Sequence, residues 1–106
     1  MTTELELDIL RHAPEAHSQI CLAKRLGFSV GKTHYMLNAL IDKGLVKAVR
    51  FRKSDNKTAY RYVLTAEGIK LRIHLTEQFI LRKKQEYEVL KKELQTLSKA
   101  QGQHDK

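Results

Sequence analysis

The sequence is most informative in residues 18–44, which read SQICLAKRLGFSVGKTHYMLNALIDKG. Ser18 and Ser29 each precede a run in which apolar residues recur every three or four positions, the spacing of one helix face. Serine is a preferred helix N-cap because its hydroxyl accepts a hydrogen bond from a free backbone N–H. Gly27, between the runs, suits the left-handed turn that ends a helix. We therefore predict two helices, 19–26 and 30–43, joined by a short turn.

Patterns on either side of this pair complete the predicted fold. An amphipathic pattern at 4–12 predicts a first helix, which ends before Pro14 because proline cannot continue it. Residues 45–52 and 59–64 alternate apolar and basic side chains, the period of β-strands, and the polar residues between them predict a turn. The expected fold is mainly α with a small β-hairpin wing, the order of a winged helix-turn-helix.

A long final helix is predicted after Thr65, which is a suitable N-cap. Over 66–100 it would be about 52 Å long at 1.5 Å per residue, too long for so small a body to cover. We predict three parts: a winged helix-turn-helix domain at 1–65, a long C-terminal dimerisation helix at 66–100, and a disordered polar tail at 101–106.

Positive charge is concentrated in the middle of the chain. The net charge is +8, with a pI near 9.7. Residues 20–63 hold ten Lys and Arg against two Asp, whereas residues 1–19 are net acidic. A basic surface confined to one segment is typical of proteins that bind polyanions. We therefore predict nucleic acid as the partner.

In a helix-turn-helix, the second helix of the pair lies in the DNA major groove and contacts base edges. Thr33, Leu37, Leu40 and Ile41 are predicted to face the core, which leaves a polar outer face. Lys, Asn and Val can contact bases there, whereas Ser and Tyr can bind phosphates, and the basic hairpin adds further phosphate or minor-groove contacts. The predicted DNA-binding residues are Ser29, Val30, Gly31, Lys32, His34, Tyr35, Asn38, Arg50, Arg52, Lys53, Lys57 and Arg61.

The last helix carries an apolar seam with the alternating spacing of a coiled coil. In a parallel pair, Glu86 would face Lys91 of the second copy, whereas an antiparallel pair would bring Glu86 and Glu93 together. The sequence favours the parallel arrangement but leaves both open. We predict a homodimer formed through Ile73, Ile80, Tyr87, Leu90, Leu94 and Leu97.

The sequence carries no motif for catalysis: no Gly-rich phosphate loop, zinc-binding His-Glu helix or nucleophile elbow. We predict that the chain is not an enzyme and binds no metal or other cofactor. Without a leader pattern or a long apolar run, a cytoplasmic location is expected. The single cysteine, Cys21, fits a reducing compartment, and Lys24 and Arg25 beside it leave a redox response open.

From Leu22 through Lys47 the chain resembles MarR-type winged-helix regulators. It is most similar to the small subgroup associated with bacterial exopolysaccharide gene clusters. The matching positions are Val30, Gly31, Lys32 and Tyr35, then Asn56–Tyr60, Leu64–Ile69 and Phe79–Tyr87. The resemblance implies sequence-specific duplex DNA binding as a homodimer, and it supports roles for Ser29, Gly31, Lys32, Tyr35 and Lys57.

Two positions depart from that subgroup. His34 stands where the subgroup has Asn, and His17 where it has an apolar residue.

A winged helix can serve as a protein-interaction module, but its outer face would then be apolar. RNA binding would call for exposed stacking aromatics on a sheet, and a DNA-acting enzyme would need a nucleophile and base or a metal set. The sequence leaves a small-molecule effector open.

Overall fold

The computed structural model describes residues 2–52 and 58–104 of the chain. It is mainly helical with a two-stranded hairpin, as the sequence predicts. A single 3-10 turn, Ala13–Glu15, connects the first two helices. The elements are α1 (Thr3–His12), α2 (Gln19–Leu26), α3 (Val30–Asp42), β1 (Val46–Arg52), β2 (Thr58–Leu64) and α4 (Ala66–His104).

The predicted caps fix the helix ends. The Ser18 hydroxyl accepts from the Cys21 N–H at 3.1 Å at the start of α2, and the Ser29 hydroxyl accepts from the Lys32 N–H at 3.1 Å at the start of α3. Each such cap contributes about 1 kcal/mol to helix stability. Gly27 ends α2 with φ of 75°, a left-handed conformation that glycine adopts without a Cβ clash. The two helices therefore begin where the sequence predicts, and α3 ends one residue earlier.

A compact core lies between the first three helices and the base of the hairpin. Its fully buried members include Ile9 from α1, Leu22 from α2, and Leu37 and Leu40 from α3. Burying an aliphatic side chain of this size contributes about 1.5–3 kcal/mol. Thr33 is the one buried polar side chain among the described residues, and its hydroxyl donates to the Ser29 carbonyl at 2.9 Å. Thr33, Leu37 and Leu40 are therefore buried as predicted, whereas Ile41 is only half-buried.

The hairpin is antiparallel, with Val46 opposite Leu64 and Arg52 opposite Thr58. Val46 is buried, but every later side chain of β1 is exposed. On β2, Tyr62 is also buried. The hairpin therefore contributes to the core at its base, while the rest of β1 presents its side chains to solvent.

The start of α4 is hydrogen-bonded to the turn that follows α3. The Thr65 N–H donates to the Leu45 carbonyl at 3.1 Å, and the Thr65 hydroxyl donates to the Gly44 carbonyl at 2.6 Å while accepting from the Gly68 N–H at 3.0 Å. A Cβ at Gly68 would overlap the Leu45 carbonyl oxygen. Only glycine fits there without a backbone shift.

The chain divides into two compact units, Met1–Thr76 and Glu77–Lys106. The first ten or so residues of α4 thus belong to the first unit, where Leu75 is buried. Helix α4 continues to His104, past the predicted end at residue 100 and into the segment predicted as a disordered tail; no proline interrupts it, and Gly102 is accommodated within it. The predicted functional division, with its boundary after residue 65, stays a prediction. None of the helices in the described ranges is both long and apolar enough to cross a membrane.

Candidate nucleic-acid interface

Helix α3 has one buried and one exposed face. Thr33, Met36, Leu37 and Leu40 are buried at the three- and four-residue spacing that places side chains on one side of a helix. Met36 adds to the inner face that the sequence predicted. The exposed residues are Ser29, Val30, Gly31, Lys32, His34, Tyr35 and Asn38. All seven were predicted to face outward, and their contact with DNA stays a prediction.

Lys32 lies at the N-terminal end of this exposed face. Its ammonium group is 4.1 Å from the centre of the Phe28 ring, a cation–π contact. Phe28 is half-buried in the turn between α2 and α3. The ring therefore gives the Lys32 side chain a preferred direction, and its three N–H donors can still reach a phosphate or a guanine.

A chain of hydrogen bonds joins the exposed face to two other elements. The Gln19 amide nitrogen is 2.9 Å from His34 Nδ1 and donates to the Tyr62 hydroxyl at 2.9 Å. On the other side of the ring, His34 Nε2 is 2.9 Å from the Asn38 amide nitrogen. His34 and Asn38 are four residues apart on one helix, so their proximity could be expected from sequence. Gln19 and Tyr62 were not predicted as part of the site, because only the tertiary fold brings them there.

Two arginines of the wing lie over aromatic rings. Arg50 donates to the Tyr60 hydroxyl at 3.3 Å, and its guanidinium lies 5.8 Å from the centre of that ring. The same hydroxyl raises the pKa of the Arg50 guanidinium above its usual value. Arg61 lies 5.7 Å from the centre of the Phe51 ring.

Three other predicted wing residues complete the account. Arg52 is exposed at the end of β1. Lys53 and Lys57 fall outside the described residues, so their roles stay predictions. The described part of the hairpin therefore places Arg50, Arg52 and Arg61 on its exposed surface.

A groove of about 290 Å³ lies between the start of α2 and strand β2. Ser18 and Gln19 form one side, and Tyr60 and Tyr62 form the other, with His17 and Ala59 completing its lining. The wing therefore lies next to the N-terminus of α2. Tyr60, which lines the groove, is also the residue whose hydroxyl accepts from Arg50.

Cys21 is half-buried in the first turn of α2. The pKa of its thiol is lowered, first by a hydrogen bond with the backbone of His17 and then by the Arg25 side chain. Among residues 2–52 and 58–104, no three His, Cys, Asp or Glu side chains cluster in a way that could hold a metal ion.

The predicted dimerisation seam is exposed along the whole of its length. Ile73, Ile80, Tyr87, Leu90, Leu94 and Leu97 have between 52% and 64% of their surface open to solvent. Lys83, the cation within the seam, forms an ion pair with Glu86 at 3.2 Å. The seam residues are thus accessible to a second chain.

Comparison with known proteins supports this reading of the fold. Residues 7–50 match the model of the IclR helix-turn-helix domain. No curated protein matches the sequence significantly. A PadR-like transcriptional regulator from Bacillus cereus superposes with a TM-score of 0.72 at 16% identity, over 81% of this chain and 90% of that one.

Two further solved structures are similar. A mutant of MepR from S. aureus gives a TM-score of 0.63 at 23% identity, over 94% of this chain and 80% of that one. Sso10a-2, a DNA-binding protein from Sulfolobus solfataricus, gives 0.59 at 26% identity, over 87% and 90%. MarR-family winged-helix regulators recur among the similar structures, whereas the exopolysaccharide subgroup stays a prediction. The chain has a winged helix-turn-helix fold similar to that of these regulators, and its residues 7–50 match a helix-turn-helix domain.

Proposed function

We propose that this chain is a sequence-specific double-stranded DNA-binding transcriptional regulator that acts as a homodimer on an inverted-repeat operator. The observation that carries the proposal is the outer face of α3. It joins exposed Lys32, Tyr35 and Asn38 on a helix whose opposite face is fully buried. A rigid helix with such a face is what major-groove recognition requires.

Within this face, Lys32 and Asn38 are the proposed base-reading pair. They are six residues apart, about 9 Å along the helix axis, so together they span several base steps. Lys can donate to guanine O6 and N7, and the amide of Asn can donate to or accept from a base edge. Ser29 and Tyr35 are assigned to phosphates, whereas Gly31 would let the α3 backbone approach the DNA closely.

The wing is proposed to bind phosphates or the minor groove beside the recognition helix. Arg50, Arg52 and Arg61 supply the cations in the described part of the hairpin, and Lys53 and Lys57 are proposed to add two more. Contacts of this kind release counterions from DNA, so affinity should fall steeply with salt.

Homodimer formation through α4 is supported by the exposed seam. A second copy offers the same stripe, and the cross-pair of Glu86 with Lys91 makes two parallel copies complementary. Two recognition helices related by two-fold symmetry bind two half-sites, which is why an inverted repeat is proposed. The resemblance to the exopolysaccharide subgroup supports such genes as the target.

A protein-interaction module is the second candidate function. Tyr35 is 75% exposed and Val30 is 44% exposed, so the face is not wholly polar. The adjoining cations favour DNA, because protein interfaces are depleted in Lys at their centre.

Selection from random DNA duplexes tests the proposal. The wild type should return an inverted repeat, and Lys32→Ala and Asn38→Ala should each lose preference at symmetric positions, by about 1–3 kcal/mol per contact. Lys99→Ala removes the same charge from α4 and serves as the control, with an unchanged preference. Recovery of no sequence preference by the wild type would contradict the proposal.

Salt dependence supplies a second measure. A dimer contacting about 6–10 phosphates should give a slope of log affinity against log salt of about −5 to −9. Lys57→Ala should weaken binding to all sequences and flatten that slope by about one unit per lost contact. An affinity independent of salt would mean that phosphates are not the main contacts.

A further inference from the structure

The exposed face of α3 is connected to buried structure through one side chain. His34 and Asn38 are both exposed, whereas Tyr62 retains 8% of its surface and belongs to the core. Gln19, half-buried at the start of α2, is the only described side chain that is hydrogen-bonded to both Tyr62 and His34. The orientation of the exposed pair can therefore be set from inside the domain.

The hydrogen-bonding rules of the imidazole restrict this chain of contacts. A neutral ring has one nitrogen that donates and one that accepts. Both neighbours of His34 are amides, and an amide can present either its N–H or its oxygen by turning through 180°. Because the ring cannot donate from both nitrogens when neutral, one amide must donate to it and the other must accept from it.

The state of Gln19 therefore determines what Asn38 presents. If Gln19 donates to His34 Nδ1, then Nε2 carries the proton and Asn38 must turn its oxygen to the ring, which leaves its N–H groups to face outward. If Gln19 instead accepts from Nδ1–H, Asn38 donates to Nε2 and its oxygen faces outward. In the structure the Gln19 amide nitrogen contacts both the Tyr62 hydroxyl and His34 Nδ1, which corresponds to the first arrangement. That arrangement requires the Asn38 amide, whose nitrogen lies 2.9 Å from His34 Nε2, to turn through 180°.

We propose that Gln19, anchored by Tyr62, is a specificity-determining positioning residue: it sets the tautomer of His34 and thereby the donor or acceptor that Asn38 offers to a base. The inference rests on the proposed function, since it concerns how the DNA-reading face is prepared. Gln19 acts through His34 and is not assigned a contact with DNA. Bases differ in the major groove by their pattern of donors and acceptors, so turning the Asn38 amide changes which base is preferred.

The experiment compares base preferences of the full chain by selection from random duplexes. Gln19→Met keeps the length of the side chain but removes its hydrogen bonds. It should change preference by about fivefold at the positions that Asn38→Ala changes, and the double variant should differ little from Asn38→Ala alone. Gln78→Met, the same change on α4, is the matched control and should leave the preference unaltered.

A spectroscopic measurement separates positioning from a loss of folding. In the free protein, the ¹⁵N resonances of the His34 ring should report one dominant tautomer, with the proton on Nε2, and Gln19→Met should produce a mixture. Gln19→Glu, which can only accept, should also change the preference at the Asn38 positions, so the test survives if Gln19→Met does not fold.

The outcomes are distinguishable from failure of the proposed function. If the wild type shows a preference that Asn38→Ala alters while Gln19→Met and Gln19→Glu do not, the positioning role is wrong and DNA reading by α3 stands. If the wild type selects no sequence at all, both the proposed function and this inference are wrong.

Discussion

The two compact units use their apolar residues in opposite ways. In the unit Met1–Thr76, the side chains of Ile9, Leu10, Leu22, Leu37 and Leu40 are almost completely buried within the chain. In the unit Glu77–Lys106, Leu90, Leu94 and Leu97 are at least 60% exposed, although their helical spacing is just as regular. An apolar pattern thus predicts which face will be buried, but not whether the burying surface comes from the same chain.

The largest expected effect is on the second unit. Leu90→Glu combined with Leu94→Glu would place charge at adjoining seam positions, and we expect the dimer to be weakened by more than about 4 kcal/mol. Sedimentation equilibrium should then detect monomers, whereas the amide resonances of the first unit in an NMR spectrum of the full chain should keep their folded positions. Gln85→Glu with Gln95→Glu adds the same charge outside the seam and should leave the dimer intact.

This prediction would be contradicted by a wild type that is monomeric at high micromolar concentration. It would equally be contradicted by a double glutamate variant that dimerises as well as its control. In either case, the exposed seam would have a role other than self-association.

Replacing glycine with alanine should have different effects on the free energy of unfolding in the two units. Gly68→Ala places a methyl group on the Leu45 carbonyl, so we expect a loss of about 1–3 kcal/mol in the free energy of unfolding. Gly102→Ala meets no atom within 4 Å and should be neutral or stabilising by up to about 1 kcal/mol, because alanine is the better helix former. Urea denaturation at one protein concentration measures both. Equal effects would mean that the α3–α4 junction adjusts to the added methyl group.

A smaller effect separates stability from DNA binding within the first unit. Gly31 also has no atom within 4 Å of a Cβ built on it, so Gly31→Ala should stabilise α3 by about 0.5–1 kcal/mol. The added methyl group would stand on the proposed DNA-facing surface and should weaken operator binding. Thermal denaturation and a binding titration report the two quantities separately. A variant that is more stable and binds equally well would show that the backbone at Gly31 does not approach DNA.

The smallest effect concerns the thiol of Cys21. Because its pKa is lowered by the His17 backbone and by Arg25, the thiolate should persist to lower pH than in the unfolded chain. The pH midpoint of iodoacetamide alkylation should therefore be lower in the folded protein, and Arg25→Ala should raise it. The Leu90→Glu and Leu94→Glu substitutions should leave this pH midpoint unchanged, since Cys21 belongs to the other unit. Coincident midpoints in folded and unfolded chains would contradict this.

Local patterns were sufficient to predict most of the fold. Ser18, Ser29 and Gly27 mark helix ends through bonds with their immediate neighbours, so their roles can be predicted from sequence. The contact of Gly68 with Leu45 joins residues 23 positions apart and has no local signature. From sequence alone, Gly68, where a Cβ would clash, could not be distinguished from Gly31, where a Cβ would meet no other atom.

The candidate site shows the same limit. The outer face of α3 follows from helical periodicity, which is local. Gln19 reaches His34 across 15 residues, and Tyr62 reaches Gln19 across 43 residues, so no spacing rule could have found them. The contact of Lys32 with the Phe28 ring is only partly predictable from sequence. The two residues are four positions apart, but a turn and a helix start between them allow several relative positions.

The arginine–aromatic pairs of the wing affect the entropy of binding. Arginine in solution loses up to about 2 kcal/mol of rotamer freedom when it is fixed by a ligand. Arg50, held by the Tyr60 hydroxyl and ring, and Arg61, held on the Phe51 ring, are already restricted in the free protein. Part of that entropy is therefore lost on folding rather than on binding. The wing arginines therefore lose less conformational entropy on binding an anionic ligand than lysines that extend into solvent would lose.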